Sequence, residues 1–226
     1  MNPKIDQPRA NPPVEPTTAF YRLIQLLARI AWRLSGGIHV EGLDNVPASG
    51  PFLLIANHQS FVDPVFSLSV IPRPVYAMAK STQFTDRFVG WILRRVCSFP
   101  VRRYQVDAQA VRITLRHLER GRGVAIFIEG ERTWDGRLQE PKSGTVRIAL
   151  RAGVPIIPCV ITGTYDIWPR WSRRPVRGRA TVRFLEPLRL PQSSGAANRA
   201  ATPAAAEAIM SAIRSGLQTD RAAQTV

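Results

Sequence analysis

The chain has 226 residues, 45% of them hydrophobic, which suffices for one full-sized domain and excludes a chain disordered throughout. Its formal net charge of +15, from 31 Lys and Arg against 16 Asp and Glu, draws polyanions: nucleic acid, anionic lipid headgroups or phosphorylated substrates. Two cysteines, Cys97 and Cys159, stand singly in apolar surroundings without C-x-x-C spacing, which argues against a disulfide scaffold or zinc site and predicts buried thiols.

Residues 1–16 are polar and proline-rich and read as a disordered leader, with no apolar core of a signal peptide. Residues 17–37 hold an amphipathic helix. In Ala19 to Leu34, Arg22, Gln25, Arg29 and Arg33 fall on one face, and Phe20, Tyr21, Leu23, Ile24, Leu26, Leu27, Ile30, Trp32 and Leu34 make up the rest. Such a helix reaches about 24 Å, short of the roughly 30 Å of a hydrocarbon core. Two readings fit it: a helix lying in an anionic membrane surface, or one packed on its own domain. Gly36-Gly37 ends it.

Strands and helices then alternate through residues 38–190. Strands are expected at Ile38 to Val40, Phe52 to Ala56, Val75 to Met78, Val96 to Val101, Gly123 to Ile128 and Ile156 to Ile161, with Ala180 to Leu185 as an alternating edge strand. Helices are expected near Pro64 to Val70, Gln83 to Leu93, Ala108 to Arg120 and Gly144 to Ala152. Residues 191–226 read as a linker and a last helix, with Thr202 as N-cap, Pro203 in the first turn and an end near Leu217. The order implies an α/β domain whose central, mostly parallel sheet is flanked by helices.

Three strand ends carry chemistry-bearing residues. Asn57-His58-Gln59-Ser60-Phe61-Val62-Asp63 follows the second strand. A histidine there can take and return a proton near neutral pH, and a carboxylate five residues on can hold its tautomer. Alone, a pair at this spacing is more often a capping Asp and a satisfied core histidine. No G-x-S-x-G elbow is present and neither cysteine has a histidine partner in sequence, so a base here would activate a hydroxyl of the substrate itself. Phe127 to Thr133 ends the fifth strand. Gly130 allows a tight turn, Arg132 offers a fork suited to phosphate, and Glu129 could orient it or bond a ligand hydroxyl; a solvated ion pair on a turn is the alternative. Arg102 and Arg103 close the fourth strand, and Lys142 precedes a helix start; surface charge is the alternative for each. Parallel strands would gather these cations on one edge beside His58.

Together these segments resemble the 1-acyl-sn-glycerol-3-phosphate acyltransferases and the wider glycerophospholipid acyltransferase family. NHQSFVD matches that family's N-H-x-S-x-x-D motif, FPVRR its arginine-ended strand, FIEGERT its F-P-E-G-T-R-S motif, and VPIIPCV its V-P-I-x-P stretch, in the family's order between Val40 and Gly163. The resemblance implies a glycerolipid acyltransferase fold with His58 as general base and Asp63 as its orienter. It implies that Arg103, Glu129, Gly130 and Arg132 bind the acceptor, with Arg102 and Lys142 beside them, and that Val154 to Pro158 serve acyl-donor binding or packing. The implied acceptor is a lysophospholipid; the donor is acyl-CoA or acyl-carrier protein, and neither metal nor resident cofactor is expected. The implied location is the cytoplasmic face of the inner membrane, peripheral or monotopic.

Two departures bear on the acceptor: Ile128 replaces a proline and Glu131 a threonine. A carboxylate there repels a phosphate unless Arg102, Arg103 or Arg132 neutralises it, which leaves a lyso-aminolipid as a second acceptor class. Arg170, Arg173, Arg174, Arg177 and Arg179 surround Trp168 and Trp171 with no helix-turn-helix, RNP or zinc-finger pattern. A non-catalytic basic protein is thus the different-class alternative; nucleic acid is the disfavoured partner, and this segment is expected to press on anionic lipid.

Overall fold

The computed structural model describes residues 18–105 and 107–224, so the expected leader at 1–16 lies outside the described residues. In chain order the elements are α1 (Thr18–Ser35), β1 (Ile38–Glu41), β2 (Phe52–Ala56), α2 (Asp63–Ser69), β3 (Val75–Lys80), α3 (Arg87–Arg95) and β4 (Ser98–Val101). There follow α4 (Ala108–Glu119), β5 (Gly123–Phe127), α5 (Ser143–Ala152), β6 (Ile156–Thr162), a one-turn α6 (Thr164–Ile167), β7 (Ala180–Phe184) and α7 (Gly195–Gln224).

All seven strands join one sheet in the order β1-β7-β6-β2-β5-β3-β4. Five of them (β6, β2, β5, β3 and β4) run parallel, while β7 is antiparallel to β6 and parallel to β1. β2 lies between β5 and β6. The chain leaves it toward β3 and β4 on one side and later returns to β6 on the other, so its carboxyl end sits where the connections diverge. Such a switch point leaves a crevice for ligands.

The strand period of two sorts the core onto both faces of the sheet. Leu53 and Ile55 of β2 join Val124, Ile126 and Val160 under α4, α5 and α7, which adds Ile209, Met210 and Ile213. Phe52, Leu54 and Ala56 join Ala125, Ile157, Cys159 and Ile161 with Phe66 of α2. Cys97 and Cys159 are both buried, each as a thiol, as their apolar surroundings predicted.

Four expectations differ from the structure. β7 is not an edge strand: β1 lies outside it, and its alternation arises because Arg183 and Thr181 are only half-buried while Ala180, Val182 and Phe184 sit in the core. The expected helix from Gln83 divides, since the Asp86 carboxylate caps a new start by accepting from the N–H groups of Phe88 and Val89. β4 begins two residues late because Cys97 takes a left-handed φ of 63°. Thr202 and Pro203 lie inside α7, where the Thr202 hydroxyl donates to the Asn198 carbonyl of the preceding turn.

α1 docks on the domain with part of its polar stripe turned inward. Gln25 is buried, and its amide donates to the carbonyls of Leu68 (3.1 Å) and Ile71 (2.8 Å) at the end of α2. Arg29 donates to the Ser69 carbonyl, and Trp32 stacks on Phe66. Gln25 and Arg29 of the polar stripe thus tie the helix to the domain together with Tyr21, Ala28 and Trp32, while Arg22 and Arg33 are exposed and Leu23, Leu26, Leu27, Ile30 and Leu34 stand exposed by 46% to 68%. Among the described residues no helix is long and apolar enough to cross a membrane. Replacing Gln25 by Ala strips two buried carbonyls of a donor, a loss of about 1–3 kcal/mol that thermal unfolding will register as a lower Tm. Leu26→Gln, on the exposed side, is expected to leave Tm unchanged.

Candidate active site

The loop leaving β2 is held by its own side chains. Asn57 prolongs β2's pairing with β6: its amide donates to the Ile161 carbonyl and its oxygen accepts the Ile161 N–H, both at 2.8 Å. Gln59 donates to the Gly136 carbonyl, and the Ser60 hydroxyl donates to the Trp168 carbonyl at 2.6 Å. Asp63 opens α2, and one of its oxygens, Oδ2, collects three bonds: the N–H groups of Gln59 (2.6 Å) and Ser60 (2.7 Å) and the Nδ1 of His58 (2.7 Å). Pro64 is compatible with this first turn, where no N–H is needed.

His58 is therefore fixed in position and in tautomer. With an anionic acceptor at Nδ1, the neutral ring carries its proton there and leaves the Nε2 lone pair open. The ring stacks on Phe127 at 4.0 Å. Burial lowers its pKa below the ordinary 6.5; the Asp63 carboxylate opposes that shift, and the charges of Arg103 and Arg132 add to it. A buried, neutral, oriented imidazole with one free nitrogen is equipped to be a general base.

The third motif sits directly beside it. Glu129 is buried, and its two oxygens accept the N–H of His58 (2.8 Å) and of Gln139 (3.2 Å), while the His58 carbonyl accepts from Thr133 N–H. Its carboxylate is thus engaged in clamping the two loops together. Gly130 turns the chain at φ +70°, and a Cβ there would come within 2.9 Å of Lys142 Cγ. The Arg132 guanidinium lies over the Phe61 ring at 5.8 Å. Among the described residues, the Arg103 and Arg132 side chains make no hydrogen bond or ion pair, though both stand close enough to His58 to act on its charge. After Arg103 the chain turns sharply, with Tyr104 at φ 65°, a conformation that costs a non-glycine residue about 1–3 kcal/mol.

The expected site residues do not all converge. His58, Asp63, Arg103, Glu129, Gly130 and Arg132 come together at the carboxyl ends of β2, β4 and β5, and Lys142 acts on Glu131 from the start of α5. Arg102 turns away: it pairs with Asp107, the N-cap of α4, through Nε and its backbone N–H. Sequence reasoning missed Arg170. Its Nη1 donates to Glu131 Oε2 (3.0 Å) and to the Arg132 carbonyl (3.1 Å), and its guanidinium lies 3.9 Å over the Trp134 ring. Tyr104 OH also donates to Glu131. The expected repulsion at Glu131 is thus met by Arg170, which comes from the loop after α6, 39 residues along the chain from Glu131. Among the described residues no three or more His, Cys, Asp or Glu are grouped to hold a metal ion.

A family model described as Acyltransferase matches residues 37–162. The chain is 32% identical over 138 residues to the chloroplastic 1-acyl-sn-glycerol-3-phosphate acyltransferase of Arabidopsis thaliana, covering 60% of this chain and 38% of that one. Against the 1-acyl-sn-glycerol-3-phosphate acyltransferase of Streptococcus pneumoniae it is 29% identical over 179 residues, covering 77% of this chain and 65% of that one. The chain thus spans less than two thirds of the length of these relatives. The crystal structure of the 1-acyl-sn-glycerophosphate (LPA) acyltransferase PlsC from Thermotoga maritima has the same fold, with a TM-score of 0.75 and 24% identity over 89% of this chain and 80% of that one.

The Glu129 clamp has a signature in stability. Burial raises its pKa from the ordinary 4.5 to about 7, against the pull of its two backbone N–H bonds. The fold thus favours the protonated form, so this group's stabilisation is full below pH 4.5. It is lost as pH rises toward 7, where the unfolded chain has already released its proton. Urea unfolding of wild type and Glu129→Gln across that window is expected to show this decline in wild type only.

Proposed function

On the premise that the chain belongs to the Acyltransferase family, we propose that it transfers a fatty acyl group from an acyl thioester to the free hydroxyl of a lysophospholipid. The donor is acyl-CoA or acyl-carrier protein, consumed as a substrate, and no resident cofactor takes part. The preferred acceptor is 1-acyl-sn-glycerol-3-phosphate, which becomes phosphatidic acid. The observation that carries the reading is the Nε2 of His58, left open by the Asp63 bond at Nδ1, next to the Arg103 and Arg132 guanidiniums, which make no hydrogen bond or ion pair among the described residues.

In this mechanism Nε2 takes the acceptor's hydroxyl proton as its oxygen attacks the thioester carbonyl carbon. The imidazolium that forms is stabilised by Asp63. Collapse of the tetrahedral intermediate breaks the C–S bond, and the proton passes to the departing thiolate. Arg103 and Arg132, with Lys142, hold the acceptor's phosphate so that its hydroxyl meets Nε2. Because Arg170 already neutralises Glu131, the repulsion that favoured an aminolipid acceptor is removed.

We further propose that the exposed leucine ridge of α1 lies on an anionic membrane surface, on the cytoplasmic face of the inner membrane. A peripheral helix needs such a face, and Gln25 and Arg29 hold the opposite side of α1 to the domain.

Labelled acyl-CoA and acyl-carrier protein, supplied with a panel of lyso-lipids, test the activity. Lysophosphatidate should be acylated, and His58→Ala and Asp63→Asn should each lose about 10²–10⁴ of the rate. Full activity in His58→Ala contradicts the mechanism. The acid limb of kcat/KM should have its midpoint below 6.5, since the free base is neutral down to that range. For the surface, the triple variant Leu23→Gln, Leu26→Gln, Leu27→Gln should melt like wild type but stay in the supernatant when anionic vesicles are sedimented.

A further inference from the structure

Resting on the lysophosphatidate reading, we propose that Arg170 is a third phosphate-binding guanidinium, held ready beside Arg103 and Arg132 by Glu131 and Trp134. It lies outside the residues 37–162 that the family model matches, in the loop between α6 and β7.

Three tethers fix its head: the Glu131 carboxylate, the Arg132 carbonyl and the face of Trp134. Both hydrogen bonds use Nη1. Among the described residues Nε and Nη2 make none, so part of the planar fork stays open for a bidentate oxyanion. The bond to the Arg132 carbonyl also places Arg170 against the backbone of the motif arginine itself. Ordering a long side chain before the ligand arrives removes that entropy from the binding step.

The electrostatics point the same way. Arg103, Arg132 and Arg170 act on one another as like charges, and Lys142 stands near Glu131. Arg103, Arg170 and Lys142 thus act with the Glu131 carboxylate, which already accepts from Arg170 and Tyr104, while Arg132 is offset only by Asp63, whose Oδ2 is engaged by His58. Such a cluster, three half-buried guanidiniums beside an exposed lysine, is relieved by a phosphate monoester, whose charge approaches two at neutral pH. Glu131 then serves to aim Arg170. The threonine that the resemblance led one to expect at that position could not do this with a charge.

The competing explanation is that Arg170 merely neutralises Glu131. Arg170→Gln and the double variant Glu131→Gln/Arg170→Gln separate the two, because the double variant leaves no unpaired carboxylate. Steady-state acylation of lysophosphatidate in mixed micelles is the readout, with monoacylglycerol as the acceptor that lacks a phosphate and thermal melting as the check of fold. For both variants, KM for lysophosphatidate should rise about 10- to 100-fold with kcat within a few-fold of wild type. With monoacylglycerol neither variant should differ from wild type. If the double variant returns to the wild-type KM, or if monoacylglycerol suffers equally, Arg170 does not bind the phosphate and the inference is overturned. If wild type acylates no lysophosphatidate at all, the functional reading itself has failed.

Discussion

A single carboxylate oxygen organises the active edge of the molecule. Asp63 Oδ2 receives two backbone N–H groups from the residues it follows and the Nδ1 of His58. The backbone bonds close the loop into a tight turn, and that turn aims the imidazole. The arrangement is charge-assisted, so each bond is shorter and stronger than its neutral counterpart. It is also incomplete, since Asp63 Oδ1 is buried without a hydrogen-bond partner among the described residues, and an orphaned buried oxygen costs about 1–3 kcal/mol. The fold therefore spends stability on keeping this carboxylate in place, as functional sites commonly do. Glu129 completes the frame from the neighbouring strand end by accepting the His58 N–H, so the ends of β2 and β5 are locked together at His58.

The same frame explains how charge and basicity are linked. Burial and the charges of Arg103 and Arg132 favour the neutral His58, the form a base must have before it acts. On the proposed reading, an acceptor phosphate settling among Arg103, Arg132 and Arg170 cancels the arginine contribution. His58 becomes a stronger base at the moment its substrate is present. The neutral imidazole of the free protein and a more basic one in the complex then belong to one design.

Much of this was legible in the sequence where local spacing decides the outcome. The apolar runs of β2, β5 and β6, the five-residue step from His58 to Asp63 and the order of the four motifs sufficed for a parallel sheet with its cations gathered at one edge. The sequence was less informative where tertiary contacts decide. The alternation of β7 resembles an edge strand, yet β1 pairs outside it through a return of the chain that local pattern does not encode. The arginine and glutamine stripe of α1 looks solvent-facing until Leu68, Ser69 and Ile71 present open carbonyls to it. Arg170 lay in a basic segment assigned to lipid, and its pairing with Glu131 spans 39 residues. A carboxylate replacing threonine in an otherwise cationic motif was the signal that a counter-charge had to exist. It could not say where.

The most direct test of the central claim is the state of the His58 ring itself. Proton-detected nitrogen spectra of the ¹⁵N-histidine-labelled protein, assigned with a His58→Gln variant, report which nitrogen carries the proton and where the ring titrates. The account predicts a neutral ring at pH 7 with the proton on Nδ1 and a bare Nε2, and a titration midpoint below 6.5 in the free protein. A ring protonated at Nε2, or already an imidazolium at pH 7, would contradict it.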